Sequence, residues 1–479
     1  MEYDKNKMDL NNMKINYEAI KYIPLNIARK YKVIPFNIVN NKLCLFTTNN
    51  FNNSIKEELK FIASMEIDTY EIEKDIMNFY IDRFYSKEEK NKLLNNLIKE
   101  EKEIKDYHRK FNVDLNKEPI VKITDYILNV AILRRASDIH IEPLKNEVII
   151  RIRIDGILYK TESIPVDIYK QIISRLKLLS NMNSTEKRIP QDGKFQYNYN
   201  NKNYDLRVAT LPTINGEKVA IRILYRQDEC TKLESLGFDE KGVKYIKKML
   251  NCSKGMILIT GPTGSGKTTT LYAMLNELDI KHRNVITIED PVEYAIDGIS
   301  QVNVNNKIGL TFSKGLKNII RQDPDVIMIG EIRDEETAEI AVRAAITGHL
   351  VLATLHTKDS FSSILRLMDM GLPKYLIADA VTSVIAQRLV RKICPYCNNR
   401  MLYKQNKGCI KCSNSGYYGR TIIYELMEID RNCRNIITKD YTVEKLRDYN
   451  IEKGMTLLKD YGLKLVEKGI TSLEELEKL

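Results

Sequence analysis

Apolar positions along the chain fall into blocks of different texture. Between 16 and 85, short apolar runs at 32–36 and 43–46 alternate with stretches of helical spacing, the pattern of a small α/β module. From 86 to 117 the chain becomes a dense mixture of Lys, Glu and Asn, which predicts a charged linker or solvated helix. A second, smaller α/β domain over 118–228 carries strand-like runs at 148–154 and 219–224 and a helix-like run at 169–179. From 234 to 390 the texture changes again. Largely apolar runs at 256–260, 285–288, 326–329 and 350–355 alternate with helical segments. Runs without a polar face cannot lie against water, so they predict a parallel sheet covered by helices on both sides. A cysteine-bearing insertion over 391–425 and a charged region of helical spacing over 426–479 follow, and 1–15 reads as a polar tail. The fold class expected is therefore multidomain α/β.

Composition narrows this picture only a little. A chain of 479 residues exceeds one hydrophobic core, and 43% hydrophobic content with no Trp and few Gly or Pro fits a globular protein. A net charge of +11 suits nucleic acid, acidic headgroups or an acidic protein partner and selects none of them. No stretch approaches the roughly 20 apolar residues of a membrane span, and residues 1–30 are polar and charged, so a cytoplasmic protein without leader or anchor is expected. There the eight cysteines stay reduced and need another purpose.

Candidate chemistry is sharpest after the run at 256–260. Gly261-Pro262-Thr263-Gly264-Ser265-Gly266-Lys267-Thr268 has every fixed position of the phosphate loop, with a helical stretch beginning at Thr269. Glycines let successive N–H groups curl inward onto phosphates, Lys267 adds a charge, and the Thr268 hydroxyl suits Mg²⁺. Hydrolysis also needs acids for water and metal. Glu289 and Asp290 follow the run at 285–288, and Glu331 follows 326–329, where parallel sheets place their sites.

Ile286-Thr287-Ile288-Glu289-Asp290-Pro291-Val292-Glu293 resembles the Asp box of the secretion ATPase superfamily. The stretch from Arg321 through Gly330-Glu331-Ile332-Arg333-Asp334 resembles its atypical Walker B signature, and Thr347-Gly348-His349-Leu350 through His356-Thr357 its His box. The motifs stand in the family's order across about 120 to 425. The chain thus resembles the hexameric ATPases that drive type IV pilus assembly and type II secretion. The resemblance implies a RecA-like core binding ATP or ADP through Gly261, Pro262, Thr263, Gly264, Ser265, Gly266, Lys267, Thr268 and Thr269, with Mg²⁺ on Thr268. It makes Glu289 the water-activating carboxylate and sets Glu331 near the metal; the residues themselves place both acids at the site without dividing those roles. His349 and His356 bracket the strand 350–355, and the resemblance gives His349 the γ-phosphate-sensing role.

In the second domain, Ala136-Ser137-Asp138-Ile139-His140-Ile141-Glu142-Pro143 sets Asp138, His140 and Glu142 on one strand face, a metal-like set. The same run resembles a structural signature of the family, and that reading is preferred. The resemblance continues through Arg188 to Gly193, Asp205 to Pro212 and Gly216 to Arg222, and it implies that Arg207 and Arg222 approach the γ-phosphate. A guanidinium offers the fixed charge and fork of donors a phosphate takes. Lys317 stands where relatives carry Arg, while Arg321 matches.

Cys394, Cys397, Cys409 and Cys412 form a C-x₂-C-x₁₁-C-x₂-C array, suited to closed tetrahedral Zn²⁺ of structural purpose. Neither pair sits in a thioredoxin-like pattern, and Cys44, Cys230, Cys252 and Cys433 read as ordinary thiols. A nucleic-acid translocase would share the core, but no aromatic-basic interleaving stands out and no nucleic acid is expected. The resemblance implies a homohexamer at the cytoplasmic face of the membrane, attached only through partners. Those partners are an inner-membrane platform protein and a docking protein at the N-terminal module. Pilus retraction motors lack that module and the cysteine array, so pilus extension is favoured, with type II secretion or DNA uptake as the alternative. No cyclic-dinucleotide motif is apparent.

Overall fold

The computed structural model describes residues 16–48, 51–72, 77, 81, 85, 118–225, 232–397, 408–409 and 411–479. The tail 1–15, the linker 86–117 and Cys230 lie outside the described residues. The chain divides into two compact units, Met1–Arg226 and Gln227–Leu479.

The first unit contains two sheets. Strands β1 (Ile34–Val39) and β2 (Lys42–Thr47) form a hairpin, and β3 (Glu66–Glu71) adds parallel to β2. The hairpin turns on Asn40 and Asn41, both at positive φ, a backbone state that asparagine tolerates and that matches strand twist. Stacked Phe36 and Phe46 fill its core.

The second sheet is wholly antiparallel. Its strands are β4 (Asp138–Pro143), β5 (Val148–Ile154), β6 (Ile157–Ile164), β7 (Gln191–Tyr199), β8 (Lys202–Thr213) and β9 (Gly216–Leu224), in the order β6-β5-β4-β9-β8-β7. Ile139 and Ile141 of β4 point into a core shared with the helices Glu118–Leu133 and Val166–Leu179. The alternate residues face away, as the period-two reading expects. Asp138 there pairs with Arg222 and Arg153, and Glu142 with Arg151 and Lys218, so the two acids are engaged by arginine and lysine.

The second unit is built on β10 (Gly255–Thr260), β11 (Val285–Glu289), β12 (Ser300–Asn303), β13 (Val326–Ile329), β14 (Leu350–Leu355), β15 (Val381–Ile393) and β16 (Tyr417–Glu428). Their order is β12-β11-β13-β14-β10-β15-β16, parallel throughout except that β16 runs antiparallel to β15. Every residue of β10, β11, β13 and β14 is buried, because helices cover both faces in two separate apolar cores. The parallel arrangement puts the carboxyl ends of these strands along one edge.

Two boundaries differ from the sequence reading. The core sheet continues past 390, since β15 ends at Ile393 and β16 is its outer strand through Glu428. The cysteines therefore cap a long hairpin, where a subdomain over 391–425 was expected. The helices beyond 426 are fastened back onto this hairpin. Glu475 accepts from the Arg391 guanidinium at 2.8 Å, and buried Glu425 accepts from Ser360 and from the Leu458 N–H. Among the described residues, no helix is long and apolar enough to cross a membrane.

Candidate active site

The loop after β10 wraps the start of the helix Lys267–Asn276. Gly261 leaves the strand where a Cβ would sit 2.5 Å from both the Gln387 carbonyl and Ser265 Oγ, so no side chain fits. Gly266 caps the helix at φ +87°, a left-handed state that costs other residues strain. The helix thus presents its free N–H groups and positive end to the space inside the loop, where an anion is stabilised. Ser265 Oγ is buried there without a hydrogen-bond partner. Lys267 is buried, its ammonium donating to the carbonyls of Gly261 (2.8 Å) and Pro262 (3.1 Å). Burial lowers its pKa to about 8, with Arg388 adding to the effect and Glu331 opposing it.

The cleft beside the loop encloses about 300 Å³ and is lined by Thr263, Gly264, Gly266, Lys267, Thr268, Thr269, Glu289, Asp290, Glu331 and His356, among others. The acids arrive because β11 and β13 end at the same edge as β10. Glu289, only 3% exposed, accepts hydrogen bonds from Tyr272 (2.5 Å), Thr287 (2.6 Å) and Gln301 (3.2 Å). Glu331 is bound by Arg333, whose guanidinium also lies 4.0 Å from Asp290. Burial opposes the charge on Glu331, but Arg333, His356 and Lys267 outweigh it and hold the carboxyl below its usual range. A carboxylate and the Thr268 hydroxyl on one cleft are the oxygen donors a hard divalent cation takes.

One histidine assignment is corrected by strand direction. His349 precedes β14, and its carbonyl accepts from the N–H of Gly255, the first residue of β10, so it stands at the amino edge of the sheet. Its ring lies against the Ala344 carbonyl. His356 follows β14 at the carboxyl edge, lines the cleft, and brings Nε2 to 3.6 Å from Glu331. Burial and then Lys267 push His356 below the usual imidazole range, so its neutral form dominates at neutral pH.

Arg207 and Arg222 belong to the first unit, where they are directly paired on β8 and β9. They line a cavity of about 530 Å³ with Asp138, His140, Asp192 and Lys194. Lys317 ion-pairs with Glu336. Sequence reading missed Tyr272, Gln301, Arg333 and Gln387 as parts of the site. Of these, Arg333 carried a signal, since it stands in the stretch that resembles the Walker B signature.

The four cysteines of the array are all buried, and their Sγ atoms lie within 4.8 Å of one another. Separations of 3.7 Å for Cys394–Cys409, 4.0 Å for Cys397–Cys412 and 3.7 Å for Cys409–Cys412 match the ~3.8 Å that tetrahedral Zn–S bonds of ~2.3 Å require. The Cys409 thiol and the N–H groups of Cys409 and Gly416 hold the Cys412 thiol below its usual range, toward the thiolate a metal needs.

A phosphate loop after an inner strand of a parallel sheet, with two acids beyond neighbouring strands on the same edge, defines a P-loop NTPase. The chain belongs to the family described as "Type II/IV secretion system protein", whose profile matches residues 114–478, and the profile of the MshEN domain matches residues 1–91. It is 36% identical to the type IV pilus assembly ATPase PilB of Myxococcus xanthus over 99% of this chain and 88% of that protein. It is 41% identical to the type II secretion system protein E of Pseudomonas aeruginosa over 74% of each. The crystal structure of the pilus retraction motor PilT with bound ADP superposes with a TM-score of 0.52 at 29% identity, covering 74% of this chain and 95% of that one.

Proposed function

We propose that the chain is a Mg²⁺-dependent ATPase that powers type IV pilus assembly as a homohexamer, driving a platform protein of the inner membrane from the cytoplasmic side. The observation that carries the ATPase reading is the convergence of Lys267, Glu289 and Glu331 on one cleft. Pilus assembly is favoured over type II secretion because the match to PilB runs through the N-terminal module, whereas the match to the type II protein covers 74% of the chain.

In this reading, loop N–H groups and Lys267 hold the β- and γ-phosphates, and the Lys267 ammonium exchanges its two carbonyl partners for phosphate oxygens. Thr268 and Glu331 would hold Mg²⁺, which would supply charge neutralisation at the phosphates. Glu289 orients a water and takes its proton. Arg207 and Arg222 give fixed charge to the phosphates when the second domain closes in the ring. His356 takes the sensing role that the family resemblance assigned to His349. Cys394, Cys397, Cys409 and Cys412 would hold a zinc ion that would brace the hairpin tip, and the N-terminal module receives a docking partner.

Deletion of the gene in its host, followed by imaging of surface filaments and assay of secreted proteins, tests the assignment. Loss of pili with intact secretion is expected; the reverse selects type II secretion. Light scattering with nucleotide present should find hexamers, and a particle that stays monomeric at every concentration overturns the ring.

A further inference from the structure

Glu289 is gripped by donors from three separate elements. Tyr272, on the phosphate-loop helix, donates to Oε2 at 2.5 Å. Thr287, two residues earlier on β11, and Gln301, on β12, both donate to Oε1. A carboxylate oxygen has two lone pairs. Thr287 and Gln301 therefore occupy those of Oε1, and Oε2 keeps one acceptor position beside Tyr272. The Tyr272 hydroxyl also accepts from the Glu293 N–H at 3.1 Å, so its own proton is directed to Glu289. Tyr272 is 1% exposed, and its ring packs against Tyr294 with centroids 4.5 Å apart, which fixes the phenol in place. Burial and the adjoining carboxylate push the phenol far above its ordinary range, so it remains a donor. Tyr272 stands five residues after Lys267 on one helix, so both are carried by the same rigid element.

The geometry points to Tyr272 as a positioning residue that sets the carboxylate of Glu289 in register with the phosphate loop and leaves one lone pair of Oε2 for the attacking water. This rests on the reading of Glu289 as the water-activating acid. In the step it serves, a water O–H bond breaks and its proton passes to Oε2. The water oxygen bonds to the γ-phosphorus while the bond to the β–γ bridging oxygen breaks, and that electron pair leaves with ADP.

Tyr272→Phe removes the hydroxyl and keeps the ring. In the full-length protein, kcat should fall roughly ten- to a hundredfold, the scale of a misplaced catalytic group, while the KM for ATP and the affinity for a fluorescent ADP analogue stay within about twofold of wild type. A role in supporting the loop alone would weaken ADP binding in step with the rate, and that result overturns the inference. So does wild-type kcat in Tyr272→Phe beside an inactive Glu289→Gln. Wild-type turnover in Glu289→Gln instead overturns the underlying reading of the acid. Retained ADP affinity also establishes that the variant is folded. Thr287→Val, which loosens the other carboxylate oxygen, should lower kcat in the same manner, and an unchanged rate there counts against the clamp.

Discussion

Gln387 reaches from β15 to the carbonyl of Ser265, 2.8 Å away, and so holds the phosphate loop to the strand that lies beside β10 in the sheet. The same carboxamide accepts from the Thr270 hydroxyl at 2.9 Å, and no part of the side chain is exposed. Gln387→Leu leaves that carbonyl and hydroxyl unpaired in the interior, at a cost of about 1–3 kcal/mol each. A lower Tm and a weaker ADP affinity are expected, read by thermal unfolding with and without nucleotide.

Lys267→Ala should abolish turnover, since no other ammonium sits in the loop. Wild-type protein adds a pH signature. Without nucleotide the Lys267 pKa lies at about 8, so its charge is present below that pH and lost above it. Phosphates raise it again on binding. Consequently kcat/KM for ATP should fall as pH rises through about 8, while kcat at saturating ATP falls less over the same range. Parallel pH profiles of the two constants would contradict this.

Glu289→Gln and Glu331→Gln should each reduce turnover by about 10²-fold or more while leaving nucleotide bound. Single-turnover measurements distinguish them from Lys267→Ala, which should lose binding as well. Either variant hydrolysing at the wild-type rate removes that acid from the chemistry.

Protein purified under reducing conditions without chelators should carry one zinc per chain, and the Cys394→Ser, Cys397→Ser double variant none. Metal analysis decides this. Because structural zinc contributes to folding, hydrogen exchange should rise at the hairpin tip. The core sheet should keep its protection, since its two apolar clusters do not include the four cysteines of the array.

Much of this was legible in the chain itself, for a physical reason: a strand buried on both faces must be apolar, and acids just past such strands are conspicuous. Glu289 and Glu331 were found that way. His356 obeys the same rule, following its strand as they follow theirs, and strand direction would have chosen it over His349. Tyr272 and Gln301 gave no such mark, because they meet Glu289 only through the crossover of the fold, 17 and 12 residues away in sequence. Strand β15 was overlooked because Gln387 and Arg388 interrupt its apolar run, and its outer neighbour β16 with it.

The long hairpin has a practical consequence for anyone shortening or grafting this protein. A cut at 391 would sever β15 close to the residue that steadies the phosphate loop and would strand β16 without its partner. Ile393 and Tyr417 are directly paired across the ladder. A short turn joining them would excise the four-cysteine tip and leave the sheet its full width, giving a minimal engine whose hydrolysis could be studied apart from whatever the tip engages.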